Sequence, residues 1–190
     1  MNYLDEMAKY QETKKQKVLS ANFLDINEIK EFWDEIEIGK ESFVPIKYKV
    51  EAEDLIGYAK GVPDTNPIFY DDDYAKKCGF TGIVAHPIFC SQVFFFLLKG
   101  GHGSWIRTPG ARNPGQKYEW YDPIKAGDEL TLKISGYDKW IKRGKYYMRY
   151  LAEIYDQDNK LKLRSYATLI LPRTKEDVLK FLKGERGLAV

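Results

Sequence analysis

Three polar residues between positions 64 and 86 are of the types that carry proton chemistry. Asp64 and Asn66 stand in an Asp-Thr-Asn-Pro turn, and His86 comes directly before the most apolar segment of the chain. Carboxylates and imidazoles are among the side chains that enzymes use for general acid–base catalysis. We therefore take Asp64, Asn66 and His86 as candidate catalytic residues and expect any chemistry to lie in this stretch.

Each candidate also has a structural explanation. Asp64 and Asn66 suit an Asx-Pro turn and the start of a helix over 71–77, because their short side chains accept hydrogen bonds from nearby backbone N–H groups. A single histidine ahead of a buried helix is often a satisfied structural residue. A metal site is not expected, since the sequence has two histidines and no paired cysteines.

The composition narrows the class of protein. The length of 190 residues suits one domain, and 44% hydrophobic residues exclude a disordered chain. A net charge of +2, spread along the chain, gives no field strong enough to hold nucleic acid. The start of the chain lacks the order of a secretory signal, and the apolar run 88–98 is about half of the ~20 residues that span a bilayer. With two unpaired cysteines, these features favour a reducing, cytoplasmic setting.

The elements that must position the candidates follow from periodicity. Alternating apolar residues predict four strands after position 115, preceded by a strand over 43–50 and a helix over 52–60. Residues 88–98 are apolar on nearly every face, so a helix there must be enclosed. An antiparallel sheet that wraps around this one buried helix is an α+β hot-dog fold. The expected parts are an N-terminal helical extension over 1–31, the hot-dog domain over 32–172 and a C-terminal helix over 173–190.

The ordered positions from Asp64 to Pro87 resemble the MaoC-like hydratase and dehydratase superfamily. The resemblance is carried by Asp64-x-Asn66-Pro67-Ile68-x-Tyr70-x-Asp72 and Tyr74-Ala75-x-x-x-Gly79-Phe80-x-Gly82-Ile83-Val84-Ala85-His86-Pro87, with a weaker anchor from Asn113 to Asp128. The chain is most similar to the FAS1-like, or MaoC N-terminal-type, dehydratase branch. This resemblance implies (R)-specific hydration of a 2-enoyl thioester, or dehydration of a 3-hydroxyacyl thioester. It implies no cofactor beyond the CoA or acyl-carrier arm that carries the substrate.

Two positions depart from the pattern of the active members. In those, an aspartate and a histidine five positions later hold and deprotonate the water, and a backbone N–H after the Ala-His pair polarises the thioester carbonyl. Here Phe69 stands where the histidine is expected, and Pro87, which has no N–H, stands in place of the usual glycine. Each loss removes an effect worth about 10²-fold or more.

The departures favour a substrate-binding, non-catalytic chain of a two-part hydratase. Its partner would be a MaoC-type hot-dog chain that retains both the aspartate and the histidine. The residues predicted to bind substrate, by lining the acyl tunnel or meeting the phosphates of the carrier, are Phe69, Ile83, Ala85, Pro87, Phe89, Arg107 and Arg112. Two alternatives stay open. One is an active homodimer that uses Asp64 with another base, for which His102 is a candidate, and the other is an acyl-thioester binding module without catalysis.

Overall fold

The computed structural model describes Lys15 and residues 32–44, 46–98 and 108–184, without the side chains of 181–182. The strands are β1 (Glu41–Phe43), β2 (Tyr48–Lys49), β3 (Arg112–Trp120), β4 (Glu129–Lys142), β5 (Lys145–Tyr155) and β6 (Leu161–Leu171). The α-helices are α1 (Ala52–Gly61), α2 (Asp72–Lys77), α3 (Cys90–Leu97) and α4 (Lys175–Leu182). Short 3-10 helices span Trp33–Glu35, Pro67–Phe69 and Pro87–Phe89.

All strand pairings are antiparallel, and the sheet order is β1-β4-β5-β6-β3, with β2 also pairing with β4. The three long strands alternate as predicted, because successive side chains of a strand point to opposite faces. Inward residues such as Leu132 on β4, Ile154 on β5 and Leu163 on β6 have no exposed surface. These inward residues build one concave apolar face, which is the face that the hot-dog prediction required.

Helix α3 packs on this concave face. Cys90, Val93 and Leu97 are fully buried, and Phe94 is nearly so. The sequence predicts a helix that is enclosed on nearly every face. The observed helix is less enclosed, because Phe95 is 38% exposed. It is also shorter than predicted, since its first turn over Pro87–Phe89 is a 3-10 helix. Pro87 takes the first position of that turn, where a missing N–H costs no hydrogen bond.

The N-terminal half departs most from the expected elements. The single strand expected over 43–50 is two short strands, β1 and β2, with the undescribed Pro45 between them. The helices expected over 52–60 and 71–77 are present as α1 and α2. The extension over 1–31 lies outside the described residues except for Lys15, whose ammonium pairs with the carboxylate of Asp54 on α1. None of the described helices has the length and apolar character to cross a bilayer.

Candidate functional site

The turn at Asp64 is held by its own side chains. The Asp64 carboxylate accepts a hydrogen bond from the Asn66 N–H through Oδ1, at 2.9 Å. The Asn66 side-chain oxygen accepts from the Ile68 N–H at 3.2 Å and so caps the 3-10 helix that begins at Pro67. The Tyr70 hydroxyl donates to the backbone carbonyl of Asp64 at 2.6 Å. The Asx turn expected at Asp64 and Asn66 is therefore present. The expected cap on the helix over 71–77 is wrong, because Asp71 caps that helix by accepting the Tyr74 N–H at 2.9 Å. A catalytic role for Asp64 or Asn66 stays a prediction.

A second segment, residues 83–86, lies beside this turn. The Ile83 N–H donates to the Asp72 carboxylate at 3.3 Å, and the Val84 N–H donates to the Ile68 carbonyl at 3.3 Å. The Ala85 N–H donates to the Ile124 carbonyl at 2.8 Å on the far side. A Cβ at position 82 would lie 2.6 Å from the Asp72 Oδ1, so a larger residue there would displace the carboxylate that accepts the Ile83 N–H. The segment is thereby tied to two separate parts of the chain and delivers His86 to the site.

His86 lies close to Asp64. The imidazole Nε2 is 3.6 Å from the Asp64 Oδ2, and the exposed fractions of the two side chains are 15% and 37%. The ring is flanked by Phe69, with ring centroids 5.3 Å apart, and by Tyr58, at 5.9 Å. A carboxylate and an imidazole thus meet at a partly exposed position beside an aromatic wall.

A repeated sequence motif indicates the structural role of the His86 side chain. Asn66-Pro67-Ile68-Phe69 and His86-Pro87-Ile88-Phe89 are the same motif with a different capping residue. In the second copy the His86 Nδ1 accepts from the Ile88 N–H at 3.3 Å, as Asn66 accepts from Ile68 in the first. Both copies form a 3-10 helix. The repeat therefore predicts that His86 is a helix cap.

The cap determines what the imidazole can do. Because Nδ1 accepts a hydrogen bond, the neutral ring carries its proton on Nε2, the atom that faces Asp64. A separation of 3.6 Å exceeds the ~2.7–3.2 Å of an N–H···O hydrogen bond, so the two groups face each other without a direct hydrogen bond. A water or substrate oxygen beside the pair would meet an N–H donor and a carboxylate acceptor. In this tautomer the base is the carboxylate rather than the imidazole.

The two departures from the active pattern occupy different surroundings. Phe69 is 5% exposed and packs with Ala59 and Val84 in a small apolar cluster. The Pro87 carbonyl accepts hydrogen bonds from the Cys90 thiol at 3.2 Å and from the indole N–H of Trp120 at 3.1 Å. Trp120, which lies in the weaker anchor of the resemblance but was not among the candidate site residues, therefore connects the edge strand β3 to the site.

The other predicted substrate-binding residues are spread over three environments. Phe89 is fully buried between the rings of Tyr48 and Tyr58, at 6.1 and 5.5 Å, so in this conformation it supports the site from within the core. Ile83 is also a core residue, at 7% exposed, whereas Ala85 is half-buried. Arg112 is exposed at the start of β3. Arg107 and the alternative base His102 lie outside the described residues.

Three of the known proteins to which this chain is similar are described as dehydratases. A mitochondrial 3-hydroxyacyl-[acyl-carrier-protein] dehydratase of Arabidopsis thaliana is 26% identical over 122 residues, which cover 64% of this chain and 70% of that protein. Among solved structures, the MaoC-like dehydratase from Rhodospirillum rubrum superposes with a TM-score of 0.67 at 20% identity, covering 76% of this chain and 98% of the other. The HadBC (3R-hydroxyacyl-ACP dehydratase) complex from Mycobacterium tuberculosis gives a TM-score of 0.62 at 21% identity, with 70% and 96% covered.

These structural likenesses confirm the hot-dog fold. The family model described as "FAS1-like, dehydratase domain region" matches residues 37–162, about two thirds of the chain. That range contains the turn at Asp64, the segment leading to His86 and strands β1 to β5. The resemblance drawn from the motifs is confirmed, and the chain belongs to the FAS1-like dehydratase domain family of MaoC-like hot-dog proteins.

Proposed function

We propose that this chain is the substrate-binding, non-catalytic chain of a two-part enoyl-thioester hydratase or 3-hydroxyacyl-thioester dehydratase. A partner hot-dog chain of the MaoC type supplies the proton chemistry. The substrate is carried as a CoA or acyl-carrier thioester, and no other cofactor takes part. A reducing, cytoplasmic compartment suits the two free thiols, Cys78 and Cys90.

The observation that carries this proposal is the state of the backbone donors where the Pro87 helix begins. Pro87 has no N–H. The Ile88 N–H is bonded to the His86 imidazole at 3.3 Å, and the Phe89 N–H is bonded to the His86 carbonyl at 2.8 Å. A thioester carbonyl brought to this helix start therefore meets no free donor among the first three residues. Removing one oxyanion donor costs an enzyme about 10²–10³-fold in rate.

The surface around the site supports a partner chain. Strand β3 is at an edge of the sheet and, within the described residues, pairs only with β6. Ile88, Phe95 and Trp120, on or next to helix α3 and at the end of β3, are 40%, 38% and 50% exposed. An open strand edge beside half-exposed apolar side chains suits a second hot-dog unit. HadBC, whose fold this chain shares, is described as a complex.

The proposal is tested by reconstitution. The chain is purified alone and together with a MaoC-type chain that retains both the aspartate and the histidine, and hydration of crotonyl-CoA is followed by loss of the enoyl-thioester absorbance. We expect binding of crotonyl-CoA but no turnover by the chain alone, and turnover by the pair that exceeds that of the partner alone. Hydration by the isolated chain at an ordinary enzymatic rate would show that the proposal is wrong.

A second candidate function is favoured by one specific observation, the 3.6 Å approach of His86 Nε2 to the Asp64 carboxylate. In that case a homodimer would be active, with Asp64 taking the proton of a water that His86 helps to hold. The pure binding module has no such observation in its favour. It would bind acyl-CoA with no activity in any combination.

The repeated motif provides a matched variant for this second candidate. His86→Asn converts residues 86–89 into Asn-Pro-Ile-Phe, the sequence that already forms a capped 3-10 helix at 66–69. The cap on the Ile88 N–H is kept and the imidazole is removed. Under our proposal the reconstituted pair keeps its turnover within a few-fold. A loss of about 10²-fold or more, with the fold intact, would assign proton chemistry to His86.

A further inference from the structure

Lys162, on β6, is a lysine with almost no contact with solvent. Its side chain is 1% exposed, whereas lysines are almost never fully buried unless they are paired. The ammonium lies 2.6 Å from the Asp122 carboxylate, 3.0 Å from that of Asp128 and 3.5 Å from that of Asp156. Asp128 and Asp156 are themselves 1% and 6% exposed. Four ionisable groups thus form one buried cluster.

The cluster is built to keep the lysine charged. Burial alone lowers the pKa of Lys162, but hydrogen bonds to Asp122 and Asp128 outweigh burial and raise it. The cluster has three carboxylates for one ammonium, and these carboxylates also bond to groups outside the cluster. Asp122 also binds Lys160 at 2.5 Å, and Asp156 accepts the backbone N–H groups of Asp158 and Lys160 at 3.0 and 2.9 Å. Removing the ammonium would leave buried carboxylates without their shared partner, which is strongly unfavourable.

Continuous hydrogen bonds lead from this cluster to the candidate site. The Asp128 oxygen bound by Lys162 also accepts the Lys125 N–H at 3.0 Å. Lys125 forms an antiparallel bridge with Val84, and the neighbouring Ile124 carbonyl accepts the Ala85 N–H at 2.8 Å. Ala85 directly precedes His86. The segment that carries His86 and Pro87 is therefore fixed on one side by residues that Lys162 holds in place.

We propose that Lys162 is a positioning residue for the acyl-thioester site. Its ammonium gathers Asp122 and Asp128, fixes residues 122–128, and so holds residues 84–86 in the position that His86 and Pro87 need. Lys162 touches no substrate and acts only through this segment. The effect on substrate binding rests on the proposed function, whereas the effect on the segment does not.

The segment is tested without any ligand, by amide hydrogen exchange followed residue by residue. In Lys162→Met, we expect the Ala85 amide to exchange about tenfold faster or more, relative to the amides that hydrogen-bond between β5 and β6. The reason is that Asp128, which holds the residues bonded to Ala85, loses its hydrogen bond from the charged Lys162. Lys133→Met is the matched control. It removes an ammonium bound to Glu153 at 2.8 Å and Glu41 at 3.0 Å, and in the part of the chain that the structure describes neither carboxylate is bonded to Ala85.

Asp122→Asn is the second variant, in case Lys162→Met does not fold. Asp122 is 23% exposed, and the rest of the cluster stays intact, so this chain should fold and show a smaller but still selective increase at Ala85. The proposal is overturned if Ala85 keeps its rate relative to the β5–β6 amides in the folded variants. It is equally overturned if Lys133→Met gives the same selective increase.

Binding of crotonyl-CoA is then measured on the same proteins. We expect Kd to rise at least several-fold in Lys162→Met or, if that chain does not fold, in Asp122→Asn, and to stay unchanged in Lys133→Met. If the unmodified chain binds no acyl thioester, the proposed function fails while the exchange result still decides the role of Lys162. If Ala85 is released but Kd is unchanged, Lys162 positions the segment without serving the ligand, and the functional part of the inference is overturned.

Discussion

Replacement of Asp64 separates the structural and chemical roles of its two carboxylate oxygens. Oδ1 accepts the Asn66 N–H at 2.9 Å, and Oδ2 faces His86 at 3.6 Å. Asp64→Asn keeps an oxygen that can accept from Asn66 but removes the negative charge. Asp64→Ala removes both. The two variants therefore differ in the turn and agree in the loss of the anion.

The structure sets the expected magnitudes. One hydrogen bond of this kind contributes about 0.5–1.5 kcal/mol to stability, so Asp64→Ala should lower the free energy of unfolding by about 1 kcal/mol. Asp64→Asn should lie within about 0.5 kcal/mol of the unmodified chain, because the turn persists and the side chain is 37% exposed. Denaturant unfolding with linear extrapolation measures both values.

Turnover of the reconstituted pair then decides the chemistry. If the partner supplies the proton carriers, Asp64→Asn should change the rate of crotonyl-CoA hydration by no more than a few-fold. If Asp64 is the base, the rate should fall by about 10²-fold or more. Two results would refute the reasoning: equal destabilisation by both variants, which denies the turn its role, and a large loss of rate in a stable Asp64→Asn, which denies the non-catalytic function.

Three further predictions concern single residues. Phe69→His should lower the free energy of unfolding by about 1–3 kcal/mol, because an imidazole replaces a ring packed on Ala59 and Val84. It should also leave the isolated chain without turnover, since Pro87 still has no N–H; a large gain in a hydration assay would show that Pro87 is irrelevant. A thiol reagent at about pH 8 should modify the exposed Cys78 and spare Cys90, whose pKa burial raises to about 12, until denaturant is added; modification of both at once in the folded chain would contradict the structure. Burial alone raises the pKa of Glu153, but hydrogen bonds from Lys133 and Arg164 outweigh burial and lower it. This carboxylate therefore stabilises the fold at pH values above its unfolded pKa of about 4.3. That contribution is lost as the pH falls through the folded pKa. Glu153→Gln should therefore show a shallower loss of stability on acidification below about pH 5, and a slope equal to that of the unmodified chain would rule this out.

The sequence was most informative where one period governs a long segment. The strands β4, β5 and β6 were predicted because apolar residues such as Leu130 and Leu132 recur at every second position over most of each strand. Helix α3 is less enclosed than predicted, because periodicity shows which residues are apolar but not which neighbour covers each face of the helix. The strand expected over 43–50 is instead two short strands, because the alternation that predicted one strand does not show where pairing with β4 is interrupted.

The site was only partly predictable, for a different reason. Asp64 and His86 are 22 positions apart, and their approach depends on the backbone bonds of Val84 to Ile68 and of Ala85 to Ile124. Those bonds join segments whose sequences carry no mutual signal. The buried Lys162 was equally hidden, since a lysine on a strand ordinarily predicts a solvent-facing position. Long-range pairing of polar groups is information that a single sequence does not contain.

His86 and Pro87 act together at the start of the 3-10 helix over Pro87–Phe89. A helix start normally leaves N–H groups free to bind an anion or a polarised carbonyl. Proline at the first position removes one of them, and the imidazole of the preceding residue occupies the next. The same two features stabilise the turn, because proline fixes φ and the cap satisfies a backbone group. Under the proposed function, the changes that close this helix start to a thioester carbonyl are thus also changes that stabilise its turn, which suits a chain that binds substrate for another chain's chemistry.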